Sequence, residues 1–294
     1  MRARLITQNS IAHEKIAEAL ERHRDHHFRR TPARRVTGEP SALAFIEEAG
    51  FCAAFTAGLG VPCLREAIEG RREPPLPHHI QHDRAIMMTW RLKDDLPARG
   101  AVYYGKVIAG RPGFVALELL PAFLRLRIAP GGYRKLYARG QLSHCGKLIM
   151  DHLTRRGPTE TKALKIATAH AQPSHRAKFD RAIKELQEKF LALKVAERYD
   201  PFTYVWDTVD HRWGDVLSTA RALTPRVAAE QLVRRYFMVA GFATERALAR
   251  ILGISLDLVD VAARRLEAEG LIIRQRRVAG IRETISFLAI AASR

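Results

Sequence analysis

One order of local signals recurs three times along these 294 residues: helix, helix, turn, helix, then a hairpin. It is cleanest between Thr224 and Ser286, returns at 141–209, and appears in a looser form at 41–120. In the last copy Pro225 stands where a first helical residue can lack its amide hydrogen. Val227, Leu232, Val233, Tyr236 and Phe237 then recur at helical spacing up to the stop at Gly241. Thr244 can cap a second helix ending at Gly253, and Ser255 a third ending at Gly270. Two apolar, alternating runs follow on either side of Ala279-Gly280. Helices joined by a short turn and backed by a hairpin form a winged helix-turn-helix, whose second helix can enter a DNA major groove.

The middle copy has the same grammar. Leu142, Leu148, Ile149 and Leu153 line its first helix, Pro158 and Thr159 open its second, and Phe179, Ile183, Leu186 and Phe190 form the apolar stripe of its third. His175, Arg176, Lys178 and Arg181 lie early in that third helix, where groove-facing residues would lie; an ordinary solvated face is the plainer reading of the same charges. In the first copy the second and third helices are separated by RREPPLPHHIQH, too long for a tight turn and expected as a surface loop. Its hairpin turns at Gly110 to Gly113, with Tyr103 and Gly105 on one face of the first strand and Tyr104 and Lys106 on the other. The expected fold is therefore mainly α with small β-hairpins (α+β). Three tandem winged helix-turn-helix units would occupy 41–139, 140–215 and 216–294. Residues 1–40 would form an N-terminal helix and a basic arm carrying Arg29, Arg30, Arg34 and Arg35, free to follow a DNA backbone or simply to solubilise the chain.

A formal net charge of +18 suits a polyanionic partner. Double-stranded DNA fits better than a membrane, because even FVALELLPAFLRLRI is broken by Glu118, Pro121, Arg125 and Arg127. Cys52, Cys63 and Cys145 are odd in number and widely spaced, which suggests neither a disulfide framework nor a CxxC site and fits a reducing, nucleoid-associated cytoplasmic setting. Arg274, Arg276 and Arg277 on the last hairpin are expected to meet phosphates. His78, His79 and His82 beside Asp83 could bind a metal, but a Pro-flanked loop gives them no fixed frame. No metal and no cofactor is expected. Neither a GxxxxGK[ST] phosphate loop nor a GxSxG elbow occurs.

The segments FIEEAGFCAAF, TWRLKDDLPARGAVYYGKVIAGRPGFVALELLP, SHRAKFDRAIKELQEKFLALKVAE and ATERALARILG resemble the AlkZ/YcaQ superfamily of bacterial DNA glycosylases, and most of all its AlkZ-related branch. The likeness covers most of 43–270 and implies a base-excising enzyme that needs no metal. The superfamily's enzymes use a glutamine pair, or a glutamine and an aspartate, about one apolar residue. The analogue here is Gln81-His82-Asp83, with histidine in the middle.

Such an enzyme must extrude a nucleotide, hold its base and position a water. Asp83 or Glu48 would be the carboxylate, Gln81 the water-orienting amide, Trp90, Tyr103 and Tyr104 the stacking surfaces, and Lys106 a phosphate or base contact. Each has a plain structural reading: Asp83 a helix cap, Trp90 a core residue, Glu48 a solvated charge, the tyrosines strand packing. Two functions stay open. One is a monomeric DNA glycosylase acting in repair or against modified foreign DNA; the other is a non-catalytic winged-helix regulator or architectural protein.

Overall fold

The computed structural model describes residues 2–75, 79–128 and 131–289. The chain is mainly helical with small antiparallel sheets. A long helix α1 (Arg2–His27) leads into three repeats of one element order: helix, short strand, helix, helix, two strands. The first repeat comprises α2 (Glu39–Ala49), β1 (Phe51–Ala53), α3 (Leu64–Glu69), α4 (Arg84–Ala98), β2 (Val102–Ile108) and β3 (Arg111–Ala116). Two linking helices, α5 (Leu120–Arg127) and α6 (Gly132–Ala138), lead to the second. It contains α7 (His144–Arg156), β4 (Thr159–Glu160), α8 (Thr161–Ala167), α9 (Arg176–Glu188), β5 (Ala192–Arg198) and β6 (Thr203–Thr208). After α10 (Val209–Ala222) come α11 (Pro225–Ala240), β7 (Phe242–Ala243), α12 (Glu245–Leu252), α13 (Leu256–Ala268), β8 (Ile272–Arg276) and β9 (Ile285–Leu288).

Local chemistry sets the boundaries. The side-chain oxygens of Ser143, Thr224, Thr244 and Ser255 accept from the backbone N–H groups of Gly146, Val227, Ala247 and Leu258, meeting donors that a helix start leaves orphaned. Gly50 and Gly241, with φ of 77° and 78°, end α2 and α11 in a backbone conformation that a side chain disfavours. In each sheet the last strand lies in the middle, between the short strand and its hairpin partner: β1-β3-β2, β4-β6-β5 and β7-β9-β8. The short strands have no counterpart in the order of elements expected from the sequence. Past Gly50, residues 51–53 pair with β3. Strands of two or three residues are too short to display alternation.

Among the described residues four apolar clusters carry the packing, the smallest joining Leu20 of α1 to Val278, Ile285 and Phe287 at the last hairpin; each fully buried Phe or Leu is worth roughly 1.5–3 kcal/mol. One lies under the first sheet (Phe45, Leu64, Leu92, Phe114) and one under the second (Ile149, Phe179, Leu186, Trp206). The largest joins Phe51 and Tyr103 to Phe123, Phe190, Trp213, Leu232 and Phe237, from the first repeat through to the third. Helix α5 packs on both α10 and α11.

The basic arm is not free. Phe28 and Val36 are buried, and Arg30 donates to the buried Glu66 of α3 at 3.2 and 2.8 Å. Arg29 donates to the Ser41 carbonyl and to Glu48. Two apolar anchors and one enclosed ion pair outweigh the tendency of a Pro- and Arg-rich segment to stay solvated, and leave Arg34 and Arg35 exposed.

Candidate functional site

A cleft of about 900 Å³ opens between β2 on one side and α8, α9 and the β5–β6 hairpin on the other. Strand β2 presents Tyr104 and Lys106 to it. Tyr103 points the opposite way, as alternation requires, and is fully buried with its ring 4.9 Å from that of Phe190. The expected substrate contact by Tyr103 is therefore corrected to core packing.

The far wall is aromatic. Phe202, in the turn before β6, and Tyr204 and Trp206 on it are spaced by two and all line the cleft. Successive ring centroids lie 5.1 and 5.9 Å apart in edge-on contact. The Trp206 indole N–H donates to Thr161 Oγ1 at 2.9 Å, which fixes the innermost ring.

The rim is cationic. Lys106, Lys162, Lys165 and Arg176 line the cleft, and among the described residues no carboxylate lies within ion-pairing distance of the three lysines. The Lys165 ammonium sits 5.1 Å from the Phe179 ring centroid, and Lys194 lies over Tyr204 at 5.3 Å. Asp180 is, among the described residues, the one carboxylate residue lining the cleft, 3.8 Å from Arg176. Such a cavity suits a flat, π-bearing group attached to an anion.

An ionic tetrad fixes the wall behind it. Lys93 of α4 donates to Asp94 at 2.8 Å and to Glu197 of β5 at 2.8 Å, and Lys194 donates to the same two carboxylates. Burial would raise the Glu197 carboxyl, but its bonds from Lys194 and Lys93 outweigh that and bring it down to about 2. Since the folded value lies below the ordinary 4.5, this stabilisation is complete above pH 4.5 and is lost as pH falls toward 2. Glu197→Gln should accordingly melt below the parent at neutral pH, and the gap between the two melting temperatures should close as pH drops through that window. A gap independent of pH would remove Glu197 from this account.

Of the other residues expected from the sequence, Arg176 lines the cleft, and the expected catalytic residues do not reach it. Gln81 and His82 lie exposed on a single turn, Ile80–His82. Asp83 caps α4, its Oδ1 accepting from the Ile86 N–H at 2.7 Å, and Glu48 pairs with Arg29 at 2.8 Å. Trp90 is half-exposed rather than core; its ring meets Phe55 edge-on and lines a second cavity of about 430 Å³ with Met87, Glu197 and Tyr199. His78 lies outside the described residues, and no group of metal-ligating side chains forms among those described. His175, just before α9, and Arg176, Lys178 and Arg181 on it are exposed, and Arg276 and Arg277 are exposed on the last hairpin. Arg274 is corrected: its buried guanidinium is clamped by Glu245 at 2.7 Å and Asp260 at 2.6 Å, so its charge is neutralised inside the third repeat.

Sequence reasoning missed Lys162, Lys165, Phe202, Tyr204 and Trp206. The signal was present in Phe202-Thr203-Tyr204-Val205-Trp206, where every second residue is aromatic. An ordinary packed strand face carries the same pattern, so only the cavity in front of it distinguishes the two.

No helix of the described residues is long and apolar enough to cross a membrane. A family model described as AlkZ related matches residues 36–253. Among solved structures, a DNA glycosylase AlkZ from Streptomyces sahachiroi matches with a TM-score of 0.53 at 16% sequence identity, over 92% of this chain and 70% of that one. At that identity the likeness is one of fold. No curated protein sequence matches the chain significantly.

Proposed function

We propose a function from the premise that this chain belongs to the AlkZ-related family: it binds double-stranded DNA, takes one extruded nucleotide into the cleft, and removes its base as a glycosylase does. The observation that carries this is the cleft itself, with stacking rings on one wall and, among the described residues, three lysines without a carboxylate partner at the rim. In this reading residues 41–139, 140–215 and 216–294 are winged helix-turn-helix units following an N-terminal segment over 1–40. Three such units on one chain embrace the duplex without a second copy. Exposed Arg34, Arg35, Lys178, Arg181, Arg276 and Arg277 would meet phosphates.

The chemistry follows from the lining residues. The base stacks against Tyr204 while Lys106, Lys162 and Lys165 hold the flanking phosphates. Asp180 then takes the place that the sequence assigned to Asp83, Gln81 and Glu48, since those three stand outside the cleft. It would take a proton from water as oxygen bonds to C1′, the C1′–N bond breaks, and the base departs with the bonding electrons. A carboxylate also offsets the positive charge that develops on the sugar among so many lysines.

One observation favours a non-catalytic DNA-binding protein instead: the cleft's carboxylate, Asp180, is exposed and already faces Arg176. The two readings part in one experiment. The protein is incubated with duplexes carrying alkylated, crosslinked or glycosylated bases and the products are treated with alkali. Strand breaks at the modified position are expected. Tight binding to every duplex with no alkali-labile site would reject excision in favour of the regulator reading.

A further inference from the structure

The turn between β5 and β6 holds two aromatic rings out in solvent: Tyr199 is 72% exposed and Phe202 54%. Burying rings of that size is worth roughly 1.5–3 kcal/mol each, so nothing in the chain's own stability accounts for their exposure. Nor are they isolated. Their centroids lie 5.7 Å apart, and Phe202 continues through Tyr204 to Trp206, so that four rings step from the outermost point of the turn to the cleft floor. The Tyr199 hydroxyl donates to Glu197 at 3.3 Å, which ties the outer ring to the tetrad behind the wall. Lys194 lies over Tyr204 and Lys162 lines the cleft beside Phe202, and the turn, which reads Tyr199-Asp200-Pro201-Phe202, carries no aliphatic side chain besides the Pro201 ring. Flat rings flanked by cations suit stacked bases between phosphates.

We infer that this turn is a wedge: Tyr199 and Phe202 enter the base stack of duplex DNA and hold open the step from which one nucleotide swings into the cleft. The inference rests on the DNA-binding reading above and adds to it the means of extrusion. Unstacking a step costs a few kcal/mol, and ring–base stacking of about 1–3 kcal/mol per base offsets it. The ladder of rings then gives the departing base a continuous π-surface to move along, ending against Tyr204. The wedge and the receiving wall belong to one hairpin, so insertion of the first delivers the base to the second.

The test uses the full chain and a duplex in which one adenine is replaced by 2-aminopurine, whose fluorescence is quenched while it is stacked. Saturating the duplex with protein should raise the fluorescence several-fold. Tyr199→Ala combined with Phe202→Ala should weaken binding about tenfold, as expected for one or two lost stacking contacts, and abolish the rise even at saturation. Tyr199→Leu with Phe202→Leu should keep part of the rise, because bulk alone fills some of the gap. All variants should melt with the parent, since the rings are exposed. A saturated parent complex without any rise, or an alanine variant with the full rise, would overturn the wedge while leaving duplex binding intact. Absence of duplex binding altogether would overturn the DNA reading and the wedge with it.

Discussion

Glu66→Ala should destabilise the protein by about 3–5 kcal/mol, because it strands a buried guanidinium without its partner. Glu66 is fully buried on α3. It accepts both bonds from Arg30 and, at 2.7 Å, the backbone N–H of Glu73. The Arg30 side chain is itself 8% exposed, lies 4.5 Å from the Phe28 ring centroid, and has only Asp25, at 4.0 Å, as a second carboxylate. At about 2–4 °C per kcal/mol, the melting temperature should fall by about 6–20 °C. Arg34→Ala and Arg35→Ala, on exposed neighbours, should each stay within about 0.5 kcal/mol of the parent. Denaturant or thermal unfolding of the three variants decides it. A Glu66→Ala protein within 1 kcal/mol of the parent would mean that the segment before α2 is not anchored through this pair.

Asp180→Asn should leave duplex affinity within about threefold of the parent, or slightly improve it, yet lower base release by about 10²–10⁴. The amide keeps the size of the side chain and removes the charge, so stacking and phosphate contacts survive while proton acceptance does not. Single-turnover release, measured at saturating protein, separates the two effects. Asp83→Asn supplies the contrast. It keeps the oxygen that caps α4 and should leave release unchanged, since the residue stands away from the cleft. If Asp83→Asn abolished release and Asp180→Asn did not, chemistry would lie in the loop before α4, where the sequence pattern first pointed.

Much of the architecture was legible because helix starts and stops are local chemistry. Thr224, Thr244 and Ser255 announce their helices by residue type, and Gly241 and Gly253 end theirs for a conformational reason that needs no tertiary context. The linking helices α5 and α10 were not legible. Arg125 and Arg127 broke the apolar run that became α5, and their guanidiniums turn out to donate to the backbone carbonyls of Leu223, Leu252 and Glu188. The cleft was half legible. Alternation separated Tyr104 from Tyr103 correctly, but Lys106 meets Lys162 and Tyr204 only through the packing of α9 on β2, and no spacing along the chain reports such a meeting. Arg274 misled for the opposite reason. Its carboxylate partners lie 14 and 29 positions away, so a charge that looked available was already spoken for.

The apolar cluster that runs from Phe51 and Tyr103 through Phe123 to Leu232 and Phe237 bears on how such a chain can change over time. Three repeats in tandem suggest interchangeable parts, but α11 of the last repeat completes a core that α5 begins. The repeats are therefore mutually committed: the last one cannot be lifted into another protein without exposing the face that α5 covers. Substitutions are tolerated instead at exposed positions of the hairpins and of α9 that lie outside this cluster, such as Lys178, Arg276 and Arg277.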